Sequence, residues 1–314
     1  MTEGIHTVTG AFGFTGKYIA QRLLDNGCNV RTLTNSTERG NSFKNKISIA
    51  PLHFDNFDEL INSLQGTSVL YNTYWIRFNY DNGKLTFHHS KAAENTLKLF
   101  HAAKEAGVKK IVHISIANPS EDSPYEYYKY KAKLEKSLIE SSVSYAILRP
   151  AIIFGKEDIL INNLAWSLRK LPVFAVFGNG KYNMQPIFVE DLAKIVVKSG
   201  EEVENKIVDA VGPELYTYSE LIKMLCMVLH KKRLIIKLPT PIVYYASKII
   251  DLFTGDIMLT RDEINMVRDN LMYSTKPPLG ETRLSEWCEK NRNTLGMHYA
   301  NEISRRKNRD KPYL

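Results

Sequence analysis

Two rhythms of hydrophobic and polar residues alternate along the first half of this chain. A short β-prone run, Ile5 to Val8, is followed by apolar residues at helical spacing (Tyr18, Ile19, Leu23, Leu24), with Gly27 as the stop signal. Further strand-like runs cover Val30 to Thr34, Ile47 to Phe54, Val69 to Tyr74, Lys110 to Ser115 and Tyr145 to Leu148. Helical patterns separate them: Phe57 to Leu64, Thr86 to Ala106 ending at Gly107, and Tyr127 to Glu140. Repeated strand–helix alternation predicts an α/β fold with a doubly wound parallel sheet. After Pro150 the alternation breaks. Short strands then mix with helices, among them capping boxes at Thr217/Glu220 and Thr260/Glu263 and helical patterns over Ile242–Phe253, Asp262–Leu271 and Leu284–Ile303. The predicted division is 1–155 as the domain of strand–helix alternation, with part of 180–215 returning to it, 156–304 as a smaller, mixed, largely helical domain, and 305–314 as a basic tail.

The turn after the first strand carries the strongest chemical signal. Gly10-Ala11-Phe12-Gly13-Phe14-Thr15-Gly16 stands between a strand and a helix start, as a pyrophosphate cradle requires. Gly10 permits the tight turn, Gly13 lets backbone N–H groups approach phosphate, and Gly16 lets the helix pack closely. The N–H groups and dipole of the helix N-terminus favour the anion. With the βα alternation, this turn predicts a Rossmann-type dinucleotide domain.

A second constellation is a Tyr-x-x-x-Lys pair, which occurs twice in overlap: Tyr125/Lys129 and Tyr127/Lys131. A tyrosine alone is a poor acid or base at neutral pH, and an ammonium one turn away stabilises its phenolate. Leu134 and Leu138 share the helix face of Tyr127 and Lys131, so that pair is predicted to look inward. Ser115, at the end of a strand, is the candidate third member.

The G-x-x-G-x-x-G spacing and the Tyr-x-x-x-Lys pair resemble the short-chain dehydrogenase/reductase superfamily, in its extended and atypical, epimerase-like branch. Lys131-Ala132 with Glu135, Leu148-Arg149-Pro150 and Gln185 to Ala193 are similar to passages of the same branch. The likeness covers most of residues 5 to 215. It extends to the lineage of the nucleotide-binding accessory subunit of respiratory complex I, where some members keep the nucleotide without turnover. The resemblance implies Ser115, Tyr127 and Lys131 as catalytic residues, with Tyr127 and Lys131 also at the nicotinamide ribose. It implies cofactor contacts from Gly10, Phe12, Gly13, Phe14, Thr15, Gly16, Asp55 (adenine), Asn72, Thr73, Tyr74 and Pro150. Asn162-Asn163 matches a substrate-diphosphate position of sugar-nucleotide epimerases, although helix-surface asparagines are the safer reading. The chain departs from the branch after Ser115: Ile116-Ala117-Asn118-Pro119 replaces the usual hydroxyl residues, which puts catalysis in doubt.

Cofactor choice turns on the end of the second strand. NAD-specific members carry an acid there, and Asn35 stands in its place. Ser36 and Arg39 suit a 2′-phosphate, while Glu38 argues against it, so NADP(H) is favoured and NAD is the alternative. The expected activity is that of an NAD(P)(H)-dependent oxidoreductase or epimerase-like enzyme acting on a small carbonyl, alcohol or nucleotide-sugar-like substrate. The rival is a non-catalytic NAD(P)H-binding regulator or an assembly partner of a larger complex.

Composition adds exclusions. The formal net charge is +8, and Arg305, Arg306, Lys307, Arg309 and Lys311 against Asp310 place half of it in the last ten residues. A solvated tail is the preferred reading, a membrane surface the weaker one, and no nucleic-acid motif accompanies it. Cys28, Cys226 and Cys288 are scattered, and the histidines form no ligand-spaced set, so neither a disulfide framework nor a metal is expected. No apolar run is long enough to span a bilayer, and the first strand starts almost at Met1, which predicts a cytoplasmic protein. The helix with Tyr244, Tyr245, Ile249, Ile250 and Phe253 suits either a membrane surface or its own domain, and packing on its own domain is the preferred reading. A homodimer or a place in a larger complex are both compatible with the chain.

Overall fold

The computed structural model describes residues 4–36, 43, 45–83 and 85–308, which form two compact units. The first unit comprises the described residues of 4–150 together with 192–209. Its elements are β1 (Ile5–Thr9), α1 (Phe14–Asp25), β2 (Asn29–Leu33), β3 (Ser48–Ala50), α2 (Phe57–Leu64), β4 (Thr67–Asn72), β5 (Tyr80–Asn82), β6 (Leu85–Phe87), α3 (His89–Glu105), β7 (Lys110–Ile114), α4 (Glu126–Glu140) and β8 (Ser144–Pro150). The second unit begins with β9 (Ile152–Phe154), α5 (Leu160–Lys170), β10 (Val173–Phe177), β11 (Asn183–Met184) and β12 (Pro186–Phe188). The chain then crosses back through α6 (Val189–Glu201) and β13 (Lys206–Ala210). It finishes with β14 (Tyr216–Thr217), α7 (Tyr218–Val228), β15 (Leu234–Leu238), α8 (Thr240–Thr254), α9 (Arg261–Arg268), α10 (Leu284–Lys290) and α11 (Glu302–Lys307).

The sheet of the first unit has seven strands in the order β13-β8-β7-β4-β1-β2-β3. The five pairs from β3 to β8 run parallel. Strand order therefore reverses between β1 and β4, and a doubly wound sheet places ligands outside the strand ends at such a point. The central strands are buried on both faces, as a sheet covered by helices on each side demands, and β4 is buried along its whole length. Leu60, Leu64, Leu99, Phe100, Leu134 and Leu138 from α2, α3 and α4 pack on Leu33, Leu70, Ile111 and Ile147 of the sheet. Each such side chain contributes about 1.5–3 kcal/mol.

The second unit has a core of its own, in which Phe154, Ile161, Leu168, Phe177, Leu221, Leu225, Ile264 and Leu284 take part. Both expected capping boxes are present, with Thr217 and Thr260 each accepting from the N–H of the glutamate three residues on. Its two-stranded sheets pair β10 with β15, β11 with β14 and β12 with β9.

Three expected elements are corrected. The strand over 47–54 shrinks to Ser48–Ala50, because Pro51 has no N–H to donate to a ladder. The helix expected from Thr86 begins at His89, because Leu85–Phe87 pairs back onto Tyr80–Asn82 as a hairpin turned at Gly83 (φ +55°). The helix expected over 284–303 is two helices. The left-handed Gly296 (φ +67°) lies between them, against the backbone of Ala165 and Trp166 where no side chain would fit. The basic tail also starts in ordered structure: Arg305 donates to the Glu157 carbonyl and Arg306 pairs with Glu302 within α11. Arg309, Asp310 and Lys311 lie outside the described residues.

A Cβ on Gly16 would fall 2.3 Å from the Gly10 carbonyl oxygen. Gly16→Ala is therefore expected to lower stability by about 3 kcal/mol, since rigid backbone must yield. Gly27→Ala meets open space and carries only the cost of its left-handed φ of +75°, about 1 kcal/mol. Urea denaturation of the two variants measures the difference.

Candidate functional site

The glycine turn leaves β1 at the switch point. Gly10 is left-handed (φ +67°) and donates its N–H to the Leu33 carbonyl of β2 at 3.0 Å. Gly13 then donates to Gly10 at 2.8 Å and becomes the N-cap of α1. Thr32 braces the turn from below: its hydroxyl accepts from Ala11 N–H at 3.0 Å and donates to the Val8 carbonyl at 3.1 Å. The N-cap residue Gly13 has no side chain with which to cap α1, and the first turn holds no acidic residue. That leaves a helix N-terminus of positive character beside a turn that tolerates close approach, which suits a diphosphate. Phe12 is buried and stacks on Phe43, whereas Phe14 and Thr15 are half-buried.

Beyond β2 the chain does something the sequence did not foretell. The Asn35 amide is committed to the backbone of Leu52, donating to its carbonyl at 2.8 Å and accepting from its N–H at 2.9 Å. An aspartate there would set a carboxylate oxygen against the Leu52 carbonyl. The missing acid at this position thus has a structural reason, and the amide staples the β2 end to the segment after β3. Ser36 is half-buried, and its N–H donates to the Thr34 hydroxyl at 3.0 Å. Glu38 and Arg39 lie outside the described residues. Next to the staple is a cavity of about 320 Å³. Asp55 and Phe54 line it, as do Lys91 and Asn95 of α3.

At the end of β4, Asn72 is fully buried and its amide is spent inside the protein. Its oxygen accepts from the Thr9 hydroxyl (3.1 Å) and from Tyr74 N–H (3.0 Å), and its nitrogen faces His113 Nδ1 at 3.0 Å. Burial, and secondarily the Lys131 charge, hold His113 well below the usual histidine range, so it is neutral. Neutral Nδ1 then accepts from Asn72. Thr73 donates its hydroxyl to the Thr9 carbonyl at 2.6 Å and its N–H to the Thr9 hydroxyl at 2.7 Å. The Tyr74 ring packs at a tilt of 48° against Phe54, and its hydroxyl accepts from Asn95 at 3.0 Å. This network locks β1 to β4 where their order reverses, and its Asn72 member supports the cleft rather than reaching into it.

The two tyrosine–lysine pairs of α4 sit differently, and Tyr125, expected to face solvent, is buried. Lys131 is buried and Lys129 exposed, while Tyr125 is the N-cap residue, off the helix and packed edge-on to Tyr128. Tyr127 is half-buried, with its ring edge-on to Trp75 (5.7 Å) and His89 (5.4 Å). The Lys131 ammonium donates to the Ile114 carbonyl at 2.7 Å and lies 4.3 Å from the centre of the Trp75 ring. Burial pulls its pKa down to about 7, and the Glu135 carboxylate only partly offsets this.

Ser115 is buried at the end of β7 and donates its hydroxyl to the Glu135 carboxylate. Arg149 grips the same carboxylate, its Nε at 3.0 and 3.1 Å from the two oxygens. Pro150 closes the loop, its carbonyl accepting from Ala117 N–H at 2.9 Å. Glu135 and Arg149 stood in the sequence only as part of a resemblance, and nothing in the pattern signalled Trp75 or His89. In the second unit, Asn163 is not on the helix surface: its amide bonds reciprocally with the Ala300 backbone at 3.1 and 2.7 Å.

A family described as NAD(P)H-binding matches residues 10–161. A nucleoside-diphosphate-sugar epimerase of Staphylococcus aureus shares the fold at TM-score 0.73, with 17% identity over 90% of this chain and 99% of that one. Residues 10–161 thus resemble an NAD(P)H-binding domain, and the chain shares the fold of that epimerase. The triphenylmethane reductase of Citrobacter sp., complexed with NADP(H), matches at TM-score 0.71, with 18% identity over 91% of this chain and 99% of that one. Among relatives by sequence is the "NADH dehydrogenase (ubiquinone) 1 alpha subcomplex subunit 9, mitochondrial" of Arabidopsis thaliana, 28% identical over 76% of this chain. The chain spans 61% of that relative's length.

Two outcomes follow from the α4 cluster. Glu135→Ala leaves the Arg149 charge and the Ser115 hydroxyl without their acceptor and is expected to destabilise by about 3 kcal/mol. Lys131 binds its proton less tightly in the fold (about 7) than in the unfolded chain (10.5). The unfolded state therefore holds more protons between these values, and stability rises with pH across that window. Wild type should gain on Lys131→Met from about pH 7 to about pH 10 and run parallel to it below pH 7, read by denaturation at several pH values.

Proposed function

We propose that this protein binds NADP(H) and keeps it as a resident group of a larger assembly, without turning over a free substrate. The observation that carries this reading is the commitment of the reacting-end groups. Ser115 is spent on Glu135, and Lys131 on the Ile114 carbonyl and the Trp75 ring. A hydroxyl already donating to a buried carboxylate has no proton left for a substrate oxygen, and a covered ammonium is held back from a ribose. The binding end is by contrast well suited to its ligand. The Gly10–Gly16 turn and the uncapped α1 would hold the diphosphate, the cavity by Asp55 the adenine, and Ser36 with Arg39 the 2′-phosphate. Bound NADP(H) supplies a hydride donor or acceptor. The subunit named among the relatives supports a place in an assembly, and the Asn35 staple favours NADP(H) because it keeps an acid away from the 2′ position.

One observation favours the second reading, an oxidoreductase or epimerase-like enzyme. Tyr127 is half-buried one turn before Lys131, whose lowered pKa suits proton exchange near neutrality.

Calorimetric titration should show NADPH binding at least about tenfold tighter than NADH, the scale of one charge-assisted hydrogen bond. Gly13→Asp, which sets a carboxylate where the diphosphate approaches, should abolish binding and release any partner retained by wild type from its native cells. Cofactor absorbance should stay constant across a panel of carbonyls, alcohols and nucleotide sugars. Steady turnover that disappears in Tyr127→Phe would instead establish the enzyme.

A further inference from the structure

Helix α8 wears its polarity inside out. A helix on a protein surface normally turns charges to water and apolar residues inward. Here only Val243 and Ser247 are buried, while the outward stripe is Ile242 (51% exposed), Tyr245 (61%), Ile249 (59%), Leu252 (84%) and Phe253 (87%). The helix packs on its own unit through Val243 and Tyr244 and leaves this stripe uncovered among the described residues. Its two charged residues are both used locally. Lys248 bonds to Asp251 at 2.7 Å and to the Leu259 carbonyl at 3.1 Å, and Asp251 also accepts from Met258 N–H at 2.7 Å. No charge of the helix interrupts the stripe.

The surroundings indicate what covers it. Residues 231–261 contain six Lys or Arg against two Asp. Asp251 is committed as described, and Asp256 is buried, accepting from the N–H groups of Glu302 and Ile303. The exposed charges of this segment are thus cationic: Lys232 and Lys237 on the approach to the helix, and Arg261 beside it. Arg261 lies 4.8 Å from the centre of the Tyr244 ring, with its guanidinium 3.4 Å from the Tyr245 hydroxyl. An apolar stripe free of charge, tyrosines at its margin and cations around it match a bilayer interface with anionic headgroups. At 15 residues α8 is about 22 Å long, too short to span the roughly 30 Å hydrocarbon core, so it lies in the interface.

We propose that α8 docks this protein onto an anionic lipid surface, with Leu252 and Phe253 entering the acyl boundary and Lys237 and Arg261 meeting the headgroups. This rests on the second unit alone and holds whatever the dinucleotide does. The full chain should co-sediment with phosphatidylcholine vesicles containing about a third phosphatidylglycerol, and about tenfold less with pure phosphatidylcholine. Leu252→Asp with Phe253→Asp should cut binding at least about tenfold. Both positions are exposed, so thermal unfolding and NADPH titration of the same sample should match wild type and read folding and nucleotide binding separately. Lys237→Glu with Arg261→Glu should remove only the preference for anionic vesicles. Absence of vesicle binding, binding untouched by the aspartates, or a dimer seen by ultracentrifugation that those aspartates dissolve would each overturn the proposal. The last outcome would assign the stripe to a second copy of the chain.

Discussion

The contact of Gly16 with the Gly10 carbonyl governs the architecture of the nucleotide end. With no Cβ at either residue, α1 starts directly over the turn that leaves β1, and a methyl group at Gly16 would meet backbone at 2.3 Å. This closeness aims the uncapped helix terminus at the point where strand order reverses. The turn is also clamped from the neighbouring strand, by the Leu33 carbonyl on Gly10 and the Thr32 hydroxyl on Ala11. Backbone geometry, rather than any charged side chain, therefore builds the anion site, and the partial charge of a helix end is enough to favour a diphosphate there.

Around that turn, polar side chains that resemble cofactor ligands serve instead as fasteners. Asn35 ties β2 to Leu52, Asn72 ties β4 to Thr9 and faces His113, and Glu135 gathers Ser115 and Arg149. Asn72 and Glu135 are buried, where an unmatched hydrogen-bonding group costs about 1–3 kcal/mol, so each finds a partner within the protein. Lys131 is the extreme case. Burial lowers its pKa to about 7, and a carbonyl and an indole face replace the water it has lost. The same residues that would serve a reaction thus hold the strand ends in place.

The two units divide their labour in different currencies. The first spends its burial on a sheet covered on both faces and keeps a polar network at the strand ends. The second builds a compact core yet leaves one helix with its apolar side to solvent and its charges consumed in local bonds. Among the described residues of its own unit, nothing covers that stripe.

Much of this was already determined by the sequence. Hydrophobic periodicity located α2 at Phe57–Leu64 to the residue, the capping boxes located the starts of α7 and α9, and glycine spacing located the turn of Gly10 to Gly16. These are local signals, carried by residues within a few positions of one another. The α4 wheel likewise turned Lys131 inward, because Leu134 and Leu138 lie on the same helix. What only the tertiary structure decided depends on residues distant in the chain. Asn35 meets Leu52, Trp75 covers Lys131, and Ser115 reaches Glu135, and no periodicity reports such meetings. The outward stripe of α8 belongs to the same class. An apolar periodic helix reads identically whether its stripe meets a core or solvent, and only the packed neighbours of Val243 and Ser247 show which side was buried.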